Sequence, residues 1–157
     1  MNSCKRSIGA MLMCLALACP LSGWANMGAE DSTESTDPNA IEGKKAVEAK
    51  DWKRAVELLS KAAAADPKNA DVQNWLGFAQ RKSGNLNAAF AAYNEALKLN
   101  PQHRAAHEYI GEAYLLTGDL GKAEQHLAEL QKLCSPIPCE EYKDLRRALD
   151  DYKKKKK

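Results

Sequence analysis

The chain has 157 residues, of which 45% are hydrophobic but only 6% aromatic, and this length suits one small domain with appendages. Its formal net charge of +2 is unevenly distributed: Lys5 and Arg6 contribute two positive charges and residues 153–157 contribute five, so residues 26–152 carry −5. An acidic body argues against nucleic-acid binding as the main role. The sequence also lacks the alternating Val, Ile and Thr runs that predict strands.

Residues 1–25 predict a secretory signal peptide. Lys5 and Arg6 precede the apolar run "IGAMLMCLALA", and the small residues of "PLSGWA" precede a cleavage point. The apolar run covers only residues 8–18, which is too short for a helix that spans a bilayer, since such a helix takes roughly 20 residues. We therefore expect a periplasmic or secreted protein with no stable membrane span. A lipid anchor at Cys19 is the minor alternative, since "LALAC" loosely resembles a lipobox.

Polar segments flank the body of the chain. Residues 26–37, "NMGAEDSTESTD", have few large apolar side chains and predict a flexible linker. Residues 153–157 are all lysine and predict a disordered tail, which can add weak attraction to an anionic lipid surface.

The body of the chain repeats itself with a period of about 34 residues. Gly43, Gly77 and Gly111 mark this period. The same offset relates Asp51, Asn85 and Asp119; Ala55, Ala89 and Ala123; Leu59, Tyr93 and Leu127; Ala62, Ala96 and Leu130; and Pro67 and Pro101. A period of this length with such regular columns indicates stacked units of two helices.

One unit shows both helices clearly. The spacing of apolar residues predicts a first helix from Ala70 to Lys82, which the pair Ser83-Gly84 terminates. A second helix follows and continues to Leu99, because Pro101 stops it soon after.

A helix-turn-helix of this length, with this order of Gly, Ala, Tyr or Leu, Ala and Pro, resembles the tetratricopeptide repeat. The stretches "WLGFAQRKSGNLNAAFAAYNEALKLNP" and "YIGEAYLLTGDLGKAEQHLAEL" carry the resemblance. It implies an all-α, right-handed α-solenoid over residues 38–134, with a degenerate first repeat at 38–69 and further repeats at 70–103 and 104–134. Residues 135–152 predict a capping helix, since Tyr142, Leu145, Leu149 and Tyr152 form one apolar stripe.

Cys134 and Cys139 are the only cysteines outside the signal segment. A structural zinc site needs about four ligands, and the histidines at 103, 107 and 126 do not supply a matching pattern. Four residues separate the two cysteines, whereas a catalytic dithiol usually has two. An oxidising compartment favours a structural disulfide that fixes the turn before the cap. We expect no metal and no cofactor.

The resemblance implies a concave surface lined by the first helix of each repeat, where a protein or peptide partner binds. On a helical wheel, the residues that face this surface are Asp71, Asn74, Phe78 and Arg81 in the second repeat, and Glu108, Glu112 and Leu115 in the third. Phe78 either anchors an extended peptide or packs on a neighbouring repeat. The family's basic cradle for a C-terminal carboxylate is not matched, because glutamates occupy the third repeat.

The function class that follows is a non-catalytic interaction or scaffold module of the bacterial cell envelope. No nucleophile, base and acid can be assembled from the sequence, so we expect no catalytic residues and no enzyme. Two alternatives stay open: an envelope component that assembles with copies of itself, and a thiol-active or metal-binding periplasmic protein.

Overall fold

The computed structural model describes residues 35–156, which form seven α-helices and contain no strand. The helices are α1 (Pro38–Glu48), α2 (Trp52–Ala65), α3 (Ala70–Lys82), α4 (Leu86–Leu99), α5 (Arg104–Thr117), α6 (Leu120–Leu133) and α7 (Glu140–Lys155). The predicted all-α solenoid is confirmed, and so are the predicted bounds of α3 and the end of α4. The predicted signal peptide, Cys19 and the predicted linker as far as residue 34 lie outside the described residues. Within the described residues, no helix combines the length and apolarity that a membrane crossing requires.

Short polar side chains begin the helices at the expected points. Asp51 and Asp119, one at the start of α2 and the other at the start of α6, each accept a hydrogen bond from a backbone N–H three residues on, at 3.1 Å. Asn69 does the same for α3, also at 3.1 Å. Asn85 stands at the corresponding position before α4, but its side chain makes no such bond.

The turn inside each repeat requires a left-handed residue. Gly84 and Gly118 both have φ of +83°, and Lys50, at the equivalent position of the first repeat, has φ of 58°. Glycine adopts this conformation without steric cost, whereas lysine does not. The first repeat is therefore degenerate in its turn as well as in its leading helix.

Glycine and alanine set the distance between the two helices of a repeat. A Cβ atom at Gly77 would lie 2.6 Å from the ring of Tyr93, and one at Gly43 would lie 2.7 Å from Leu59. Tyr93 and Leu59 are both fully buried. Between and around these contacts, fully buried alanines fill the interior at Ala55, Ala62, Ala79, Ala89, Ala96, Ala106, Ala113 and Ala123.

The capping helix α7 changes this pattern in the third repeat. A Cβ atom at Gly111 would meet Leu145 of α7 at 2.7 Å, whereas the other two glycines face the second helix of their own repeat. Gly77 and Gly111 thus have unlike nearest neighbours, contrary to the simple expectation from the repeat period. Leu145 and Leu149 are buried in one apolar cluster with Leu130, which agrees with the predicted apolar stripe on the cap.

The lysine tail is partly helical, so the prediction that all of it is disordered was wrong. Helix α7 runs to Lys155 and takes in three of the five lysines. Lys153 pairs with Glu124 of α6 at 2.7 Å, and Lys154 lies 3.5 Å from Asp151. Positive charge at a helix C-terminus also complements the helix dipole, so these lysines favour the last turn of α7.

Cys134 and Cys139 form a disulfide between the end of α6 and the start of α7, with Cα atoms 5.3 Å apart. Cys134 belongs to the same buried cluster as Leu130 and Leu145. The disulfide therefore fixes the connection between α6 and α7 beside the apolar contact between these two helices.

We predict that the protein purified from an oxidising environment contains this disulfide and no free thiol at Cys134 or Cys139. Alkylation under non-reducing conditions followed by mass spectrometry measures it. Replacing both cysteines by serine should lower the free energy of unfolding by about 2 kcal/mol, as expected for a short closed loop. Alkylatable thiols at both Cys134 and Cys139 would contradict the prediction.

Candidate functional site

Arg81 lies near the end of α3 on the concave side, which we define as the side lined by α1, α3 and α5. Its side chain is buried, and its Nη1 atom lies 2.6 Å from a carboxylate oxygen of Glu112 on α5. Its Nε–H donates a hydrogen bond to the hydroxyl of Tyr93 on α4, at 3.3 Å. Burial raises the pKa of Tyr93, so this hydroxyl stays neutral. Arg81 therefore links three helices across the boundary between two repeats.

An aromatic cluster lies beside Arg81, with three rings from α3 and α5 on the same side and one ring from the start of α2. We use this name for Trp52, Trp75, Phe78 and Tyr109. The ring of Phe78 lies 4.9 Å from Tyr109, 6.1 Å from Trp75 and 6.3 Å from Trp52, measured between centroids. All four side chains are partly exposed.

Cations lie over this cluster. The guanidinium carbon of Arg81 is 5.3 Å from the centroid of Phe78 and 5.6 Å from that of Tyr109. Lys82 places its Nζ 5.2 Å from Phe78, and Lys44 of α1 places its Nζ 5.8 Å from Trp75. Such contacts orient the rings and the charges together.

The seven residues predicted to face the concave surface divide into two groups. Asp71, Phe78 and Glu112 are partly exposed; Asn74, Arg81, Glu108 and Leu115 are buried, at 3–9% exposure. A helical wheel gives directions but not neighbours, so it did not show that packing would bury the second group. Of the two interpretations of Phe78, packing on the next repeat is confirmed by its contact with Tyr109.

Glu108 is surrounded by other carboxylates. Burial raises its pKa to about 8, and the nearby Glu112, Asp144 and Glu141 contribute to this rise, while Arg81 acts in the opposite direction. At neutral pH this carboxyl therefore holds its proton. It faces α7, whose acidic residues the sequence could not place beside α5.

The histidines form contacts that the sequence did not predict. His107 of α5 and His126 of α6 contact each other, with their Nδ1 atoms 2.9 Å apart. His107 Nε2 donates to the carbonyl oxygen of Pro101 at 2.9 Å, so His107 Nδ1 accepts the proton of His126. Burial and His107 lower the pKa of His126 to about 4. His103 caps α5 and lies 3.1 Å from Asp71.

No cluster of three or more His, Cys, Asp or Glu side chains is arranged to hold a metal ion within residues 35–156. The two Nδ1 atoms of the pair contact each other, and His107 Nε2 contacts a backbone carbonyl.

Sequence reasoning missed Trp75, Tyr109 and Lys44 as residues of this side. Trp75 and Tyr109 occupy the same position in successive repeats, and both come two residues before the repeat's glycine. An aromatic residue recurring in that column was the signal that could have found them.

Comparison with solved structures shows the same fold in several tetratricopeptide-repeat proteins. The type III secretion chaperone SycD of Yersinia enterocolitica, in complex with a peptide of the translocator YopD, matches with a TM-score of 0.65 and 19% identity, covering 76% of this chain and 92% of that one. The TPR2B domain of yeast Sti1, in a complex with pHsp70, gives 0.68 and 17%, covering 74% and 94%. The second TPR domain of human RPAP3, in complex with an HSP70 peptide, gives 0.64 and 22%, covering 73% and 92%.

The sequence itself matches a tetratricopeptide-repeat family over residues 42–102 and again over 79–136. These overlapping matches span more than half of the chain. Together they contain the second and third repeats in full and the second helix of the first repeat. The glycine columns, the helix bounds and the stacked hairpins follow the same organisation. The protein belongs to the tetratricopeptide-repeat family.

Proposed function

We propose that the protein is an exported, non-catalytic interaction module of the bacterial cell envelope, which binds an extended segment of a partner protein on its concave side. The observation that carries this proposal is the aromatic cluster, four partly exposed rings on the side where neighbouring repeats meet. Aromatic side chains provide large contact area at low cost in conformational entropy, and they recur among the residues that dominate binding energy.

The concave side is held in place before any partner arrives. Arg81 bonds to Tyr93 and pairs with Glu112, so α3, α4 and α5 cannot move independently without breaking a contact of this buried arginine. A rigid surface loses less entropy on binding than a mobile one. This supports recognition of a segment that itself becomes ordered on the surface.

The solved relatives support a peptide as the ligand class. SycD and the second TPR domain of RPAP3 were each solved with a bound peptide. Their low identity to this chain means that the residues that contact those peptides do not transfer, and the nature of the segment must come from this protein's own side chains.

Two features support export to an oxidising compartment. The N-terminal segment has the composition of a secretory signal, and Cys134 and Cys139 are placed for a disulfide between α6 and α7. Structural disulfides are common in exported proteins and rare in the cytosol.

A non-catalytic role is supported by the tetratricopeptide-repeat family and by its solved neighbours with bound peptides. A carboxyl group with a raised pKa can serve as a general acid, and such groups often mark active sites. In Glu108 the causes are burial and three neighbouring carboxylates from α5 and α7, where the third repeat meets its cap.

We predict that a photocrosslinking amino acid at position 78 captures a partner in the native compartment, whereas the same group at position 91 does not. Phe78 lies in the aromatic cluster, while Ala91 is exposed on α4, which does not line the concave side. The captured protein is identified by mass spectrometry. Purified parent protein should then bind it, and Phe78→Ala should weaken binding about tenfold or more, as for other buried aromatic contacts.

The control is the helical circular-dichroism spectrum of Phe78→Ala, which should match that of the parent. Equal capture from positions 78 and 91 would count against the concave side as the binding surface. Adducts that contain only further copies of this chain would favour self-assembly instead.

We predict that Glu108→Gln makes the protein more stable than the parent at pH 8.5, and that this difference is smaller at pH 5. The unfolded chain releases the Glu108 proton near its ordinary pKa, whereas the folded chain retains it up to pH of about 8. The parent therefore loses stability as the pH rises through this interval, and glutamine does not titrate. Denaturant unfolding at both pH values measures the difference, with the exposed Glu48→Gln as a control. An equal difference at both pH values would show that Glu108 does not titrate in this way.

A further inference from the structure

A groove opens where the C-terminal ends of α3 and α5 approach α7. It has a volume of about 370 Å³, and its apolar part comprises Leu115, Leu116, Ala148 and Tyr152. We call it the α3–α5–α7 groove. Arg81, whose guanidinium lies over the ring of Phe78, also lines it, so it continues from the aromatic cluster.

Leu116 is the unusual residue of this groove, since 63% of its surface is exposed. Its neighbour Leu115 is buried in the core, at 8% exposure. Leu116 and the partly buried Tyr152 and Ala148 thus offer an apolar contact for one large side chain of a ligand.

The acidic side chains around the concave side are already paired within the chain. Four of them form ion pairs with cations of the same protein: Glu112 with Arg81 at 2.6 Å, Asp144 with Arg147 at 3.0 Å, Asp151 with Lys154 at 3.5 Å, and Glu141 with Arg104 at 3.9 Å. A carboxylate oxygen of Asp71 lies 3.1 Å from Nε2 of His103. Glu108 carries no charge at neutral pH, because burial and its acidic neighbours raise its pKa to about 8. These carboxylates therefore present little uncompensated negative charge to a ligand.

Three lysines near the groove are not paired with a carboxylate of residues 35–156. Lys82 and Lys155 line the groove and are exposed, and Lys44 lies further along the concave side. Within the described part of the chain, none of the three has a carboxylate at ion-pair distance. Lys82 and Lys44 instead lie over aromatic rings. The charge that remains available to a ligand is positive, although residues 26–152 carry −5 overall.

We propose that the α3–α5–α7 groove binds an acidic segment of a partner protein, with a large apolar side chain of that segment against Leu116 and its carboxylates near Lys82 and Lys155. This inference rests on the proposed function, because it assigns a chemical class to the partner of the same concave side. Charge complementarity across a rim of this kind selects partners and speeds association.

The test uses fluorescence anisotropy with the purified protein and three labelled nonapeptides. One consists of three Leu-Glu-Glu units, the second of three Leu-Lys-Lys units and the third of three Gly-Glu-Glu units. We expect the Leu-Glu-Glu peptide to bind most tightly, since it alone offers both the apolar and the acidic groups. Raising the salt concentration should weaken its binding by screening the exposed charges.

The variants separate the two contributions. The double variant Lys82→Glu/Lys155→Glu should weaken binding of the Leu-Glu-Glu peptide about tenfold, from the loss of two exposed ion pairs. Leu116→Gln should weaken it as well, without affecting the fold, because the side chain is mostly exposed. Lys68→Glu is the matched control, since Lys68 is an exposed lysine in the turn between α2 and α3 and has no ion-pair partner among the described residues.

Three results would overturn the inference. These are equal or tighter binding of the Leu-Lys-Lys peptide, an equal loss of affinity in the Lys68→Glu control, and no binding of any of the three peptides. Each of them leaves the proposed function to be judged separately, by crosslinking from position 78. A partner captured there whose binding depends on Phe78 but not on Lys82 and Lys155 would support the proposed interaction module. The same result would contradict the inference that its ligand is acidic.

Discussion

The structure depends on the close approach of α3 and α4 at Gly77. No side chain separates the helices at this point, so the ring of Tyr93 lies directly against the backbone of α3. That position lets the hydroxyl of Tyr93 accept a hydrogen bond from Arg81, one turn further along α3. Arg81 in turn pairs with Glu112 of the next repeat. The packing of Tyr93 on Gly77 within one repeat thus positions Arg81 to form an ion pair with the next repeat.

This link also defines the surface that a partner meets. Arg81 is held over the rings of Phe78 and Tyr109, and these two rings contact each other across the repeat boundary. The aromatic cluster is therefore built from three repeats, with Trp52 from the first, Trp75 and Phe78 from the second and Tyr109 from the third, and it exists only when they are stacked in register. The same stacking pairs Glu112 with Arg81 and places Lys82 over the ring of Phe78. A ligand on the concave side therefore meets exposed positive charge, although residues 26–152 carry −5 overall.

Much of the fold could be predicted from the sequence, because local signals mark it. The repeat period, Ser83-Gly84, Pro101 and the apolar stripe of the cap located the helices of the repeats and the final helix. The candidate site was less predictable, since a helical wheel gives directions but not neighbours. It could not show that α7 would bring Leu145 against Gly111, or that Glu108 would face the acidic residues of α7. The contact between His107 and His126 and the helical lysines of the tail likewise depend on which helices meet.

The most direct measurement is a comparison of the free energies of unfolding of Gly77→Ala and Gly121→Ala. Both positions are helical, and alanine is the better helix former, yet a Cβ at residue 77 would lie 2.6 Å from Tyr93, whereas one at residue 121 has its nearest neighbour at 3.8 Å. We expect Gly77→Ala to lose about 1–3 kcal/mol from overpacking, and Gly121→Ala to be neutral or stabilising. Equal tolerance of alanine at the two positions would contradict the close helix approach on which the concave side depends.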